Sequence, residues 1–541
     1  MKTWLVRNIR LGLDADKEEA MQRLAKKLHM NPDRFSAQPY RVSIDARKGK
    51  IQKNVHFLVR CEQTPSPSHR DQKDLVEWKE RHFDPIPGRV PLPHRPVVVG
   101  SGPCGLFAAL LLAEKGYAPL ILEQGSPVEE RKKQVESFWA GGKLSPTSNV
   151  QFGEGGAGTF SDGKLTARSK DPRVYSILKA FVSFGAPEEI LWEQYPHIGT
   201  DRLQGVLQKL RRHIRELGGE YAFREGLMDV ETQTGISALE LKAIKTTKRR
   251  IPCSRMILAI GHSARDTYKV LHERGLSMEN KDFAVGFRVE HRQALIEQAQ
   301  YGKAAFHASL PRASYWLTAK SPYPMAEGKN RGVYSFCMCP GGFVVNASSE
   351  EGRLCVNGMS NYQRDSVNAN SALLTSIGPG DYGETLFDGI RFQRQLEEKA
   401  YDLGGEDYKA PVQRVVDFLA NRESTTLGAV KPSILPGYRL SRLNDLFPPE
   451  ITKSLQEALK LWDHKIPGFA GEDALLTGVE ARSSAPVRIL RTEDGQASIR
   501  GIYPAGEGSG YAGGIISSAL DGMKAAEKII EAHAPLLTVE N

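Results

Sequence analysis

The run Val97-Val98-Val99-Gly100-Ser101-Gly102-Pro103-Cys104-Gly105 narrows most what this chain can fold into. Three β-branched residues lead into Gly-x-Gly-x-x-Gly. An Ala/Leu-rich helical stretch follows at residues 106–113, and a second apolar segment, Leu120-Ile121-Leu122, ends in Glu123. Strand, helix, strand and terminal acid stand in the register of a β-α-β dinucleotide-binding unit. Gly100 allows the tight turn, Gly102 lets the backbone approach a pyrophosphate, and Gly105 lets the helix pack against the strand. With Ser101, Pro103 and Cys104 they form a turn that offers the N–H groups of a helix N-terminus to an anion. Glu123, 18 residues beyond Gly105, is placed to accept the hydroxyl protons of an adenosine ribose, with Gln124 beside it.

The same kind of punctuation recurs along the chain. Gly153-Glu154-Gly155-Gly156-Ala157-Gly158-Thr159-Phe160 is too glycine-dense to be explained by folding alone, and predicts a loop to which something flat or anionic comes close. Residues 256–260 read as a buried strand stopping at the small residues around Ala259 and Gly261. Near the end, Ile502-Tyr503-Pro504-Ala505-Gly506-Glu507 and Gly513-Gly514-Ile515 give another strand, glycine turn and helix start. Arg131, on a helix after the second strand, either reaches back to the pyrophosphate or sits exposed.

At 541 residues the chain holds two to four domains at roughly 100–200 residues each. Residues 1–62 alternate extended, helical, extended and extended patterns, with a turn at Arg47-Lys48-Gly49-Lys50, which predicts a small α+β unit. Two proline-rich stretches, at 63–68 and 84–88, bracket a short helix and mark a linker. From 282 to about 470 longer extended segments mix with helices expected near 391–403, 411–420 and 450–463, which predicts an inserted unit. The first ninety residues carry 19 Lys+Arg against 12 Asp+Glu, most of the net +9. A solvated basic surface is the preferred reading over a nucleic-acid site. No apolar run approaches the ~20 residues that span a bilayer, and no signal segment opens the chain, so no membrane partner and a cytoplasmic location are expected. Six scattered cysteines suggest reduced thiols.

Taken together, residues 97–123, the Ala259-Ile260-Gly261 strand end and the Ala505-Gly506-Glu507 turn resemble the three separated FAD-binding motifs of two-dinucleotide-binding-fold, glutathione-reductase-like flavoproteins. More narrowly, residues 153–165, Tyr195-Pro196-His197-Ile198-Gly199 and Phe336-Cys337-Met338-Cys339-Pro340-Gly341-Gly342 are similar to a bacterial family of uncharacterised FAD-dependent dehydrogenases. The resemblance implies an α/β chain with four parts. These are a basic N-terminal α+β domain with its linker (1–90), a Rossmann-like FAD-binding domain in two pieces (91–281 and 471–541), and an inserted α+β substrate domain (282–470). It also implies that Gly506 and Glu507 face the ribityl or pyrophosphate region, and that Gly513, Gly514 and Ile515 present amides to the flavin pyrimidine. Gly156, Ala157, Gly158 and Thr159 would line the ring or phosphates, and Val230 would contact adenine.

Such a chain is expected to be an FAD-dependent oxidoreductase, passing a hydride between an unidentified small molecule and noncovalent FAD. A flavin monooxygenase and an FAD-bearing RNA-binding or RNA-modifying protein are the alternatives. No second Gly-x-Gly-x-x-Gly follows a strand, so electrons come from substrate, a transiently docked NAD(P)H or a protein donor. The catalytic acid or base is unassigned, with His197, His262 and His307 as weak candidates, and no metal site is read. For Cys337 and Cys339, apolar packing is preferred over redox chemistry, because Cys-x-Cys lacks the helix-start geometry that lowers a thiol pKa.

Overall fold

The computed structural model describes residues 1–47, 51–79, 83–166, 169–236 and 238–536, so Lys48 to Lys50 of the expected turn lie outside the described residues. The chain opens with β1 (Lys2–Leu11), α1 (Lys17–Leu28), β2 (Phe35–Asp45), β3 (Gln52–Cys61) and β4 (Leu75–Glu77). Asp16 caps α1 by accepting from the Glu19 N–H at 2.8 Å, and Lys26 and Lys27 occupy its last turn, complementing the helix dipole. Its apolar face (Ala20, Leu24, Leu28) packs on an antiparallel sheet in the order β2-β3-β1-β4. Among the described residues between the two proline-rich stretches the expected short helix is not formed. A 3₁₀ turn at Gln72–Asp74 leads instead into β4, where pairing with β1 outweighs local propensity.

The middle of the chain runs β5 (Val97–Val99), α2 (Pro103–Glu114), β6 (Leu120–Glu123), α3 (Val128–Trp139), α4 (Arg173–Ser183), α5 (Thr200–Glu216) and β7 (Glu220–Phe223). It continues with β8 (Leu227–Thr234), β9 (Leu239–Thr246), β10 (Arg250–Pro252), β11 (Met256–Leu258) and α6 (Arg265–Glu273). Then come β12 (Met278–Asn280), β13 (Phe283–Arg292), α7 (Gln293–Tyr301), β14 (Thr318–Lys320), β15 (Gly332–Cys339), β16 (Phe343–Asn346), β17 (Val356–Met359) and β18 (Asn368–Ile377). The remainder is α8 (Pro379–Tyr382), α9 (Asp388–Gly404), β19 (Ala410–Arg414), α10 (Val415–Leu419), β20 (Tyr438–Leu440), α11 (Pro449–Asp463), β21 (Leu475–Glu480), β22 (Val487–Ile489), β23 (Ile502–Pro504) and α12 (Ile515–Ala532).

A parallel sheet in the order β23-β11-β5-β6-β7 gathers strands from widely separated positions, which is the Rossmann-like α/β core. The period of two in its strands divides two hydrophobic layers. Val98, Ile121 and Ile257 face α2, α5 and α12, whereas Val97, Val99, Leu120, Leu122, Met256 and Leu258 face the antiparallel β8-β9-β10 sheet. Because β5 has β6 on one side and β11 on the other, the strand order reverses at its carboxyl end. Open α/β sheets place ligands at such a point.

The second large body is a seven-stranded sheet, β14-β15-β18-β13-β21-β19-β20. The face of α11 formed by Ile451, Leu455, Leu459 and Trp462 packs against it. The helix expected over 411–420 is half strand. Val412 and Gln413 pair with Thr477 and Leu476, and only Val415–Leu419 turns helical. Among the described residues no helix is long and apolar enough to cross a membrane.

Candidate functional site: a cavity between the two sheets

A cavity of about 1790 Å³ starts at the end of β5 and runs beneath the seven-stranded sheet. Typical single-ligand pockets hold roughly 300–1,000 Å³, so this one has room for a dinucleotide and a second molecule. Residues 100–104, Glu123, Gln124, Gly156, Ala157, Gly158, Ala259, Gly261, Glu507, Gly513, Gly514 and Ile515 all line it, so segments far apart in sequence meet as expected.

Close packing dictates the first turn. Gly100 has φ +101°, and a Cβ there would lie 2.3 Å from the Ala259 carbonyl oxygen; at Gly105 it would lie 1.9 Å from the Gly100 oxygen. Gly105 thus acts from behind the wall, locking α2 onto β5. Gly506 also lies behind the wall, where a Cβ would press on Cys104 at 2.9 Å, and its N–H donates to Asp521 at 2.7 Å. No side chain caps α2 or α12, and neither carries an acid in its first turn. Two helix N-termini therefore open into one cavity with their N–H groups uncompensated, a setting that favours anionic groups. Burial and nearby Asp521 push the Cys104 thiol well up, so it remains neutral beside the helix start.

Glu123 is buried and fully engaged. One oxygen accepts from the Ser101 N–H (3.0 Å) and hydroxyl (2.8 Å), the other from the Gly125 (2.9 Å) and Gly153 (3.1 Å) N–H groups. Four contacts match the lone-pair capacity of a carboxylate. It clasps the first glycine turn to the glycine-dense loop, and a ribose hydroxyl has to share it.

Besides Gly506, which lies behind the wall instead of facing the ligand, three expectations need correction. Arg131 neither reaches the pyrophosphate nor sits exposed. It is completely buried and donates to the carbonyls of Asn149 (2.8 Å), Val150 (2.9 Å), Glu154 (2.7 Å) and Gly156 (2.9 Å). Burial lowers its pKa to about 10, so the cation persists at neutral pH and organises the loop from beneath. Thr159 does not line the cavity either; it hydrogen-bonds Glu154 O at 3.2 Å behind that loop. Val230 sits in the layer between the two sheets of the nucleotide half, and the wall at this end is made by Glu225, Gly226 and Leu227.

All three candidate histidines line the cavity. His197 stacks on Tyr362 and bonds its carbonyl at 3.0 Å, and burial with Arg364 nearby lowers its pKa. His262 contacts Ser263 Oγ at 2.8 Å; burial, then Arg482 and Arg265, bring its pKa down to about 3. His307 lies 3.4 Å from Asp14 of the N-terminal unit. Better placed proton carriers are two carboxyls. Burial raises Glu480 to about 7 against the opposing effect of Arg288, and raises Glu507 to about 7 against Lys281. Groups poised near neutrality suit proton transfer. Glu480 escaped the sequence reading, although an acid closing the apolar run Leu475-Leu476-Thr477-Gly478-Val479 was a visible signal.

The two large bodies are tied together below the cavity. Glu397 of α9, with no exposure, is bidentate to Arg482 (2.8 and 2.7 Å) and binds both terminal nitrogens of Arg265 (2.6 and 3.0 Å). The N-terminal unit forms one wall of the mouth. Val42 N–H donates to Trp192 O at 2.6 Å, Gln194 N–H donates to Val42 O at 3.0 Å, and Arg41 and Lys53 line the opening.

Residues 282–483 match the family described as "FAD-dependent protein, C-terminal domain-like". Over 533 residues the chain is 46% identical to a Clostridium beijerinckii protein described as "Uncharacterized protein", covering 97% of this chain and 98% of that one. The chain belongs to this family of FAD-dependent proteins. The FAD-dependent protein also resembles L-proline dehydrogenase from P. horikoshii, at 14% identity over 83% of this chain and 96% of that one, TM-score 0.32. Against glycine oxidase from Bacillus cereus the values are 10%, 83%, 100% and 0.30. Likenesses this distant carry no functional argument. FAD is the cofactor, and the glycine turn, the two uncapped helix starts and a cavity larger than one ligand fit it.

Proposed function

We propose that this FAD-dependent protein is an oxidoreductase that passes a hydride between an unidentified small molecule and noncovalent FAD. One observation carries the reading: a single cavity joins the two open helix N-termini to a polar far end built by Glu480, Arg482, Lys164 and Cys337. When bound, FAD supplies the hydride acceptor or donor. The turn at residues 100–105 and the start of α2 would hold its diphosphate, with Glu123, Gln124 and Gly226 at the adenosine end. The amides of Gly513, Gly514 and Ile515 would face the other end, where the start of α12 favours negative charge on a reduced ring. Glu480 and Glu507 would hold or release a proton at their carboxyl oxygens near neutral pH, and His262 would stay neutral.

The position of Arg41 and Lys53 supports a role for the N-terminal charge in attracting anionic ligands to the mouth rather than nucleic acid. The deciding experiment is anaerobic stopped-flow absorbance of the purified protein against a metabolite panel with NADH and NADPH. Bleaching of the flavin band by one compound is expected. A yellow protein that no donor in the panel bleaches, while dithionite does, defeats the reading.

A further inference from the structure

The far end of the cavity contains two thiols that the proposed reaction leaves unused. Strand β15 pairs with β18 up to Phe336 opposite Ala372, and resumes with Cys339 opposite Asn370, so two residues oppose one. The extra residue makes a bulge, with Cys337 at φ +44°. Bulges re-aim side chains and gather at active sites. Here the bulge leaves the two cysteines unequal. Cys337 is half-buried and lines the cavity, whereas Cys339 is fully buried and its thiol donates to the Cys337 carbonyl at 3.2 Å.

Cations surround the pair. The Lys164 ammonium is bonded to the Met338 carbonyl between the two cysteines and lies 3.7 Å from buried Asp162. Arg288, wholly buried, donates to the Cys337 carbonyl at 3.0 Å and reaches Glu480 at 2.7 Å from its other side. The neighbouring Cys339 lowers the pKa of Cys337, helped by Lys164 and Arg288 against the effect of burial, and Cys337 in turn raises that of Cys339. A thiolate facing ligand with a protonated partner behind it is the division of labour of an attacking and a resolving sulfur. Glu507, on the FAD-facing turn, lies close enough to Cys337 to feel its charge.

We propose that Cys337 and Cys339 are a redox-active dithiol that exchanges two electrons with the FAD, Cys337 facing the ligand and Cys339 closing the disulfide. In the oxidising direction the Cys337 thiolate and the Cys339 thiol form one Sγ–Sγ bond. Two electrons pass to FAD, and the proton lost by Cys339 ends on the reduced cofactor. The reverse direction restores thiolate and thiol. The inference rests on FAD occupying this cavity, and it gives the protein a second two-electron store besides the flavin.

The test uses the purified, air-oxidised holoprotein. Cysteine alkylation under denaturing conditions with peptide mapping should find four reactive thiols, and an intramolecular disulfide in the peptide holding Cys337 and Cys339. After full reduction all six cysteines should react. Anaerobic dithionite titration should consume four electrons per FAD in this protein, and two in Cys337→Ser or Cys339→Ser. The wild-type count stands whether or not those variants fold. A yellow protein with six reactive thiols, or one that takes up only two electrons, overturns the proposal and leaves the FAD reading intact. A colourless preparation overturns both.

Discussion

The two ends of the cavity recognise ligand in different ways. At the β5 end the wall is main chain: glycines at 100, 102 and 156, and the N–H groups at the starts of α2 and α12. At the far end it is side chain: Glu480 and Arg482 at the end of β21, with Lys164 and Cys337 brought in on two other segments and Arg288 paired to Glu480 behind them. A backbone cradle must be written as a contiguous glycine pattern, because only a missing Cβ lets other atoms so close. A side-chain constellation can be assembled from any positions that the fold brings together.

Substitutions can break or sharpen that contrast, and the largest effect belongs to the cradle. Gly105→Ala, which drives a Cβ into the Gly100 carbonyl, should reduce FAD affinity by more than a hundredfold, about 3 kcal/mol or more. The flavin-to-protein absorbance ratio after gel filtration measures it. Glu397→Ala should destabilise by about 3–5 kcal/mol, since it leaves Arg265 and Arg482 buried without their counter-charge; urea unfolding reads this. Burial alone would raise the Glu397 pKa, but Arg265 and Arg482 hold it well below the usual carboxylate range. The ionised pair therefore stabilises above about pH 4.3, and that stabilisation should fade as the solution is acidified below it, a slope that Glu397→Gln lacks.

At the far end, Glu480→Gln should leave FAD affinity within about threefold, roughly 0.6 kcal/mol. It should also remove a limb near pH 7 from the rate of flavin reduction once a donor is known. If instead FAD is lost with Glu480, the division into two ends is wrong. The smallest effect is expected from Asp14→Ala at the mouth, where an exposed contact to His307 contributes no more than about 0.5 kcal/mol to thermal stability.

The same contrast explains what could be read from the sequence. The β5-α2-β6 unit, Glu123 and the Ala505-Gly506-Glu507 turn were legible because strand, glycine and helix follow one another directly. Arg131 was not, since its partners are carbonyls of residues 149–156, and a string of letters does not show where carbonyls point. Val230 was misread for a related reason: β8 meets the cavity only at its first residue, Leu227, and Val230 lies in the layer between the sheets. Residues 75–77 and 410–414 became strands because long-range partners, β1 and β21, overrode local preference. For Cys337 the absence of helix-start geometry was legible, whereas the bulge that re-aims it arises from its pairing with β18 and is not written locally.

The buried knot of Arg265, Glu397 and Arg482 has a bearing on how the parts are held. Parting the nucleotide half from the inserted half would strip the buried Arg265 of both Glu397 and Glu350, so the two are held as a single housing. The N-terminal unit is held to the rim by a pair of main-chain links at Val42 and by contacts near the surface. Arg41 and Lys53 of that unit line the cavity, so this part of its wall is held by lighter ties than the buried ion pairs that join the two halves.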